Sequence, residues 1–281
     1  MKLHAIHAGY FKLDGGAMHG VVPKKLWEKK NPPDENNLCT WDTRLLLVEY
    51  DEKRVLIDSG LGNKQSDKFF SYYEPHGPKL IESLEKAGFA PEDITDNFLT
   101  HLHFDHVGGA VKWKDDHTGY ELTFPKATYW SHKRHWYHAM HPNAREKASF
   151  LEENLEPIQD ARRLELLEEP DEVFPGFSFI LVNGHTDSQM LPVIRFGSHT
   201  IIYVADLIPS AAHIPTAWVM GYDIRPLETM KEKANLLTEA AEKNFILFFE
   251  HDPKVECCTV EKTDKGIRIR ETFSLADIEG K

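Results

Sequence analysis

Two rhythms of apolar and polar positions alternate along the 281 residues. Residues 3–13 and 44–57 carry alternating and continuous runs of aliphatic, β-branched and aromatic side chains, which predict strands, with Tyr50-Asp51-Glu52-Lys53 as a hairpin turn. Residues 78–87 place Leu80, Ile81, Leu84 and Ala87 at helical spacing, with Pro78 in the first turn and Gly88 past the end. Ala127-Thr128-Tyr129-Trp130 predicts a strand running into a helix from Ser131. Residues 143–169, rich in Glu, Leu and Arg, predict a helix broken at Pro157, and 226–243 another opened by Pro226. Residues 255–273 alternate as a hairpin about Asp264-Lys265-Gly266. No Gly/Ser- or Pro-rich linker, repeat or low-complexity segment interrupts this order, so the expectation is one α/β domain over 1–281.

The apolar runs end on polar residues of one kind. Val55-Leu56-Ile57 stops at Asp58, Phe177 to Val182 at Asn183-Gly184-His185, Thr200 to Ala205 at Asp206, and Phe245 to Phe249 at Glu250-His251. Asn97-Phe98-Leu99 runs into Thr100-His101-Leu102-His103-Phe104-Asp105-His106-Val107-Gly108-Gly109. In layered α/β proteins ligands collect beyond the carboxyl ends of strands, so these five stretches are expected to converge. Imidazole nitrogens and carboxylate oxygens together suit zinc, iron, manganese or cobalt. With 16 His and 45 Asp plus Glu in the chain, three imidazoles and a carboxylate in such a window arise by accident in roughly one chain in a hundred. A solvated His-rich loop is therefore the weaker reading.

The motif at 101–106, followed in order by His185, Asp206 and His251, resembles the metallo-β-lactamase superfamily. The resemblance implies an αββα sandwich with two metal ions at the edge of its two sheets, most simply zinc. It implies His101, His103 and His185 on one ion, Asp105, His106 and His251 on the other, and Asp206 bridging them. Asp58 matches the residue that orients a ligand histidine from behind, a common need of metal sites. Asp14-Gly15-Gly16-Ala17-Met18, Val22-Pro23-Lys24 and Trp27 are similar to the N-terminal segment of quorum-quenching N-acyl-homoserine lactonases, as are Asp206 to His213, Trp218, Tyr222-Asp223 and Glu250-His251-Asp252-Pro253. Two departures stand out: Pro209 occupies a place where those lactonases have Tyr, and Gly184-His185-Thr186-Asp187-Ser188 lacks the usual Pro-Gly after Thr. The implied activity is lactone opening by a metal-bridging hydroxide, with Asp105 and Asp206 catalytic. The alternative is a phosphotriesterase or arylesterase of the methyl-parathion-hydrolase type on the same site.

Without the Tyr, another group must contact the substrate carbonyl, and His213 and Tyr222 are the candidates. Met18, His19 and Trp27 are candidates to line an acyl groove. His132, His135, His138 and His141 recur every third residue along one side of the helix expected from 131. A second metal site is the sharper reading of them; a mixed surface helix, without local carboxylates to support the rings, is the preferred one. The acidic run 165–172 reads as solvated surface. A formal charge of −12 excludes binders of nucleic-acid backbones, which need basic surface. Cys39, Cys257 and Cys258 form neither a zinc spacing nor a disulfide framework, and no apolar segment reaches signal-peptide or spanning length, so the expected setting is cytoplasmic and away from membranes. The expected partner is a small ester or lactone, and the resemblance adds a possible homodimer. A glutathione-dependent thiol-ester or persulfide enzyme is disfavoured because no basic cluster for that peptide is evident. An inert metal-binding relative is disfavoured because all seven ligand positions are kept.

Overall fold

The computed structural model describes residues 1–169 and 172–280. Its strands are β1 (Lys2–Asp14), β2 (Leu38–Tyr50), β3 (Lys53–Ile57), β4 (Asp96–Phe98), β5 (Val111–Trp113), β6 (Tyr120–Leu122), β7 (Thr128–His132), β8 (Leu164–Leu167), β9 (Phe177–Val182), β10 (Gln189–Phe196), β11 (His199–Tyr203), β12 (Ile246–Phe248), β13 (Cys257–Thr263) and β14 (Gly266–Phe273). Its helices are α1 (Gly15–His19), α2 (Lys24–Trp27), α3 (Asp67–Phe70), α4 (Leu80–Lys86), α5 (Phe104–Val107), α6 (Lys133–Met140), α7 (Glu152–Asp160) and α8 (Pro226–Lys243).

Two six-stranded sheets, ordered β1-β2-β3-β4-β7-β8 and β14-β13-β12-β11-β10-β9, stack face to face. The near-continuous apolar sequence of β2 and β3 follows from burial on both faces. Leu46, Val48, Val55 and Ile57 point into the core between the sheets, which Phe177, Ile201 and Phe248 share from the facing sheet. Their neighbours Leu45, Leu47 and Leu56 point the other way, into a second core with Leu84 of α4, Trp136 of α6 and Leu155 of α7. Helix α8 closes the outer side of the other sheet, burying Leu236, Leu237 and Ala240. The result is an αββα sandwich, as the resemblance implied.

One segment departs from the expectation. Residues 143–169 do not form a helix broken at Pro157. Pro157 lies inside α7, and the chain then turns at Arg162 (φ 54°) into β8. Leu164 to Leu167 pair in parallel with Tyr129 to His132, so an open sheet edge overrides local helix propensity. Within the acidic run, Glu168 pairs with Lys133 and Glu172 with Arg195 on the surface; Pro170 and Asp171 lie outside the described residues. None of the helices is long and apolar enough to cross a membrane among the described residues.

Strand direction decides where the polar ends go. β3 and β4 run parallel, as do β11 and β12, and β9 is two antiparallel steps from β11. The carboxyl ends of all five therefore open on one edge. Backbone bonds from Asp42 to His251 (3.2 Å), Arg44 to Glu250 (3.0 Å) and Met190 to Thr100 (2.9 Å) stitch the sheets together there.

Candidate metal centre

The motif loop gains its shape in two steps. His101 and His103 share one side, in the same donor set, while Leu102 between them drops into the outer core. One turn of helix, α5, then brings Asp105 and His106 round beside them, with His103 at its N-cap. Gly108 and Gly109 follow because nothing larger fits: a Cβ there would lie 2.1 Å from Leu61 O and 2.0 Å from Ser59 O. Asp58 adopts a left-handed backbone (φ 58°), which aims its carboxylate at the motif.

Five imidazoles and two carboxylates converge in two sets, His101, His103, His185 and Asp206 in one and Asp105, His106 and His251 in the other. His103 Nδ1 lies 3.1 Å from both His101 Nε2 and His185 Nε2, and His251 Nε2 lies 3.2 Å from His106 Nε2. Asp206 stands between the sets. Its Oδ2 is 3.1 Å from His185 Nε2, and its Oδ1 is 3.1 Å from His251 Nε2 and 3.6 Å from His106 Nε2. Lone pairs packed this closely fit divalent cations well, because two imidazole nitrogens in contact share at most one proton. Asp206 Oδ1 finds no hydrogen-bond partner among the described residues, which points the same way.

The outward-facing nitrogens each face a polar group. His101 Nδ1 meets Thr100 Oγ1 (3.1 Å) and Gln189 Nε2 (3.3 Å). His106 Nδ1 faces Asp58 Oδ2 (3.1 Å) and Glu250 Oε2 (3.0 Å), both fully buried. Asp58 is fixed in turn by Thr100, through its N–H (2.8 Å) and hydroxyl (2.7 Å). His185 Nδ1 faces Asp223 Oδ1 (3.0 Å), His251 Nδ1 donates to Asp42 O (2.8 Å), and His103 Nε2 faces Glu146 Oε1 (3.5 Å). Sequence reasoning placed Asp58 in this layer and missed Asp223, Glu250 and Glu146. Glu250 and Asp223 left a signal, each being acidic and next to a strand end or a motif residue. Glu146 left none.

These charges pull against burial. Burial takes His101 well below an ordinary imidazole, and His106 and His103 push it the same way. At His185 burial also acts downward, but Asp206 and Asp223 outweigh it and hold the ring at about 10. His251 is held at about 9 against burial by Asp206 and Glu250. Burial alone would raise Asp206; His185, His106 and His251 instead bring it well below the carboxylate range.

The donors form the floor of a cavity of about 360 Å³. Leu13, Met18, Tyr73, Phe104, Met220 and Tyr222 line it, and Arg145 reaches across the rim to Gly221 O and Asp223 O. Met18 and Tyr222, of the five candidates for substrate contact, line the cavity. His19, Trp27 and His213 do not. They stack one layer behind, His19 between Trp27 (5.1 Å) and His213 (4.7 Å), and His213 spends both ring nitrogens on Ser210 Oγ (2.8 Å) and Met18 O (2.9 Å). They pack behind the wall formed by Met18, and none of the three lines the cavity.

The four imidazoles spaced by three do not converge on a site of their own. His132 bonds Glu168 O (3.0 Å) and caps α6, and His141 is exposed against Tyr137 O (3.0 Å). His135 and His138 turn inward. His135 Nε2 accepts from Leu102 N–H (2.8 Å) and its Nδ1 meets Asp187 O (2.5 Å), while His138 Nε2 reaches Glu146 Oε2 (2.8 Å). A carboxylate meets one of these rings, His138, and it is Glu146 from the following turn; the other three meet backbone carbonyls.

Residues 43–251 match the metallo-beta-lactamase superfamily, and the chain belongs to it as a metal-dependent hydrolase. An N-acyl homoserine lactonase of Bacillus thuringiensis is 24% identical over 272 residues, spanning 91% of this chain and 94% of its own. A probable metal-dependent hydrolase from Staphylococcus aureus superposes with a TM-score of 0.88 at 28% identity, covering 97% of this chain and 96% of its own. AidC, a dizinc quorum-quenching lactonase, superposes at 0.78 with 23% identity, covering 96% and 94%.

Proposed function

We propose that the protein is a dinuclear lactonase that opens N-acyl-homoserine lactones. The observation that carries this reading is Asp206, whose two oxygens face two separate donor sets on the floor of an apolar-walled cavity. His101, His103 and His185 would hold one cation, Asp105, His106 and His251 the other, and Asp206 both. Zinc is the proposed metal, with iron, manganese and cobalt compatible with the same donors. When bound, such a pair supplies a nucleophilic water at neutral pH and polarises the ester carbonyl.

The chain's own groups do the rest. Tyr222 is the proposed donor to the carbonyl oxygen, since its hydroxyl has no hydrogen-bond partner among the described residues and it opens on the cavity beside Tyr73. Asp105, at the cavity floor, is placed to carry a proton to the departing alkoxide. Met18, Phe104 and Met220 give an acyl chain apolar, adaptable walls. The lactonases among the relatives support this choice of substrate. Three free, buried cysteines support action in a reducing compartment such as the cytoplasm, and the shared inter-sheet core supports one domain over the chain.

The test is steady-state turnover of an N-acyl-homoserine lactone, an aryl ester and paraoxon by protein whose metals are quantified. The lactone is expected to show the largest kcat/KM. A larger value for paraoxon would turn the assignment to a phosphotriesterase, and no turnover with both metals bound would leave a binding protein.

A further inference from the structure

Glu146 belongs to neither donor set, yet it is 3% exposed at the wall of the same cavity. Its Oε1 accepts from Thr186 Oγ1, next in chain to His185, and faces His103 Nε2 at 3.5 Å. Its Oε2 accepts from His138 Nε2 at 2.8 Å and from Asn143 Nδ2. His103 turns Nδ1 towards His101 and His185, so a cation there takes the Nδ1 lone pair and leaves the proton on Nε2. Glu146 Oε1 is the acceptor facing that proton.

A carboxylate behind a ligating imidazole fixes its tautomer and angle and raises its basicity. Glu146 also ties the His103 stretch to the His185 stretch, which lie 82 residues apart. His135 does the same with backbone, joining Leu102 to Asp187. Two imidazoles of α6 thus brace one cation position from outside. We infer that Glu146 is a positioning residue for the cation held by His101, His103, His185 and Asp206, and that α6 secures it through His138. The inference rests on the metal-centre reading above.

Zinc affinity and stoichiometry, read by competition with a chromophoric chelator, test it in Glu146→Gln, His138→Ala and the exposed control His141→Ala. Glu146→Gln is expected to weaken one zinc per chain about 10–100-fold and leave the other unchanged. The visible spectrum of cobalt-loaded protein should shift with it, while the Tm of stripped protein stays within a few degrees of the parent. His138→Ala should show a smaller loss at the same zinc, and His141→Ala none. Two zincs held at parental affinity in Glu146→Gln would overturn the inference, as would a loss of affinity matched by an equal fall in the Tm of stripped protein. Should Glu146→Gln not fold, unchanged affinity in His138→Ala overturns it. A parent chain that takes up no zinc removes the metal centre itself, a result distinct from all of these.

Discussion

Asp206 and Tyr222 set the predictions at the residue scale. Asp206 turns one carboxylate oxygen to each donor set, and an amide there offers only one good acceptor. Asp206→Asn is expected to cut kcat/KM at least about 100-fold, with reduced metal content by elemental analysis and a far-ultraviolet spectrum unchanged. Tyr222→Phe removes a hydroxyl with no hydrogen-bond partner among the described residues, so Tm should hold while kcat falls by about 100-fold, the usual loss of one donor to a developing oxyanion. A variant with parental kcat would move that role to Tyr73 or elsewhere. At this scale the sequence was informative for donors and poor for support. His101, Asp105 and His251 were legible because their chemistry is scarce and their neighbours apolar. His213 looked equally polar, but only packing shows both its nitrogens already occupied by Ser210 and Met18.

Among the elements, the turn after the motif and helix α6 matter most. Gly109 brings α5 against Ser59 O, where a methyl group would meet backbone at 2.0 Å with nothing flexible to give. Gly109→Ala is expected to cost about 3 kcal/mol in denaturant unfolding and to lower metal affinity with it, because Ser59 N also bonds His106 O. Periodicity placed β1, β3, α8 and the β13–β14 hairpin well, since each has one clear rhythm. It failed at β8, where Leu164 to Leu167 follow the pairing offered by β7. It also read α6 as surface. The helix spacing was right, but the partners of His135 and His138 come from 52 and 8 residues away.

For the whole molecule, pH dependence follows from buried imidazoles. Burial drives His135 to about 3 and His19 to about 4 in the folded chain. Unfolded, each titrates near 6.5. Between those values the unfolded state takes up protons that the native state refuses, so stability is full above about 6.5 and drains as pH falls. Urea midpoints measured with chelator present should fall from pH 7 to 5, and His135→Asn should be less stable at pH 7 but flatter in profile. Cation binding has its own sign. His185 and His251, held near 10 and 9, carry protons at neutral pH that a cation must displace, so apparent zinc affinity should rise with pH from 6 to 8 in calorimetric titrations.

The sequence by itself determined the two rhythms, the apolar strands buried on both faces, and the scarce donors at their ends. These are local facts: side-chain chemistry and spacing are written in chain order. The tertiary structure alone decided how strand directions bring five carboxyl ends to one edge, that His213 is spent on Ser210 and Met18, and that Glu146 sits behind His103. Those relations depend on strand direction and on contacts between residues tens to hundreds of positions apart, which no local pattern encodes.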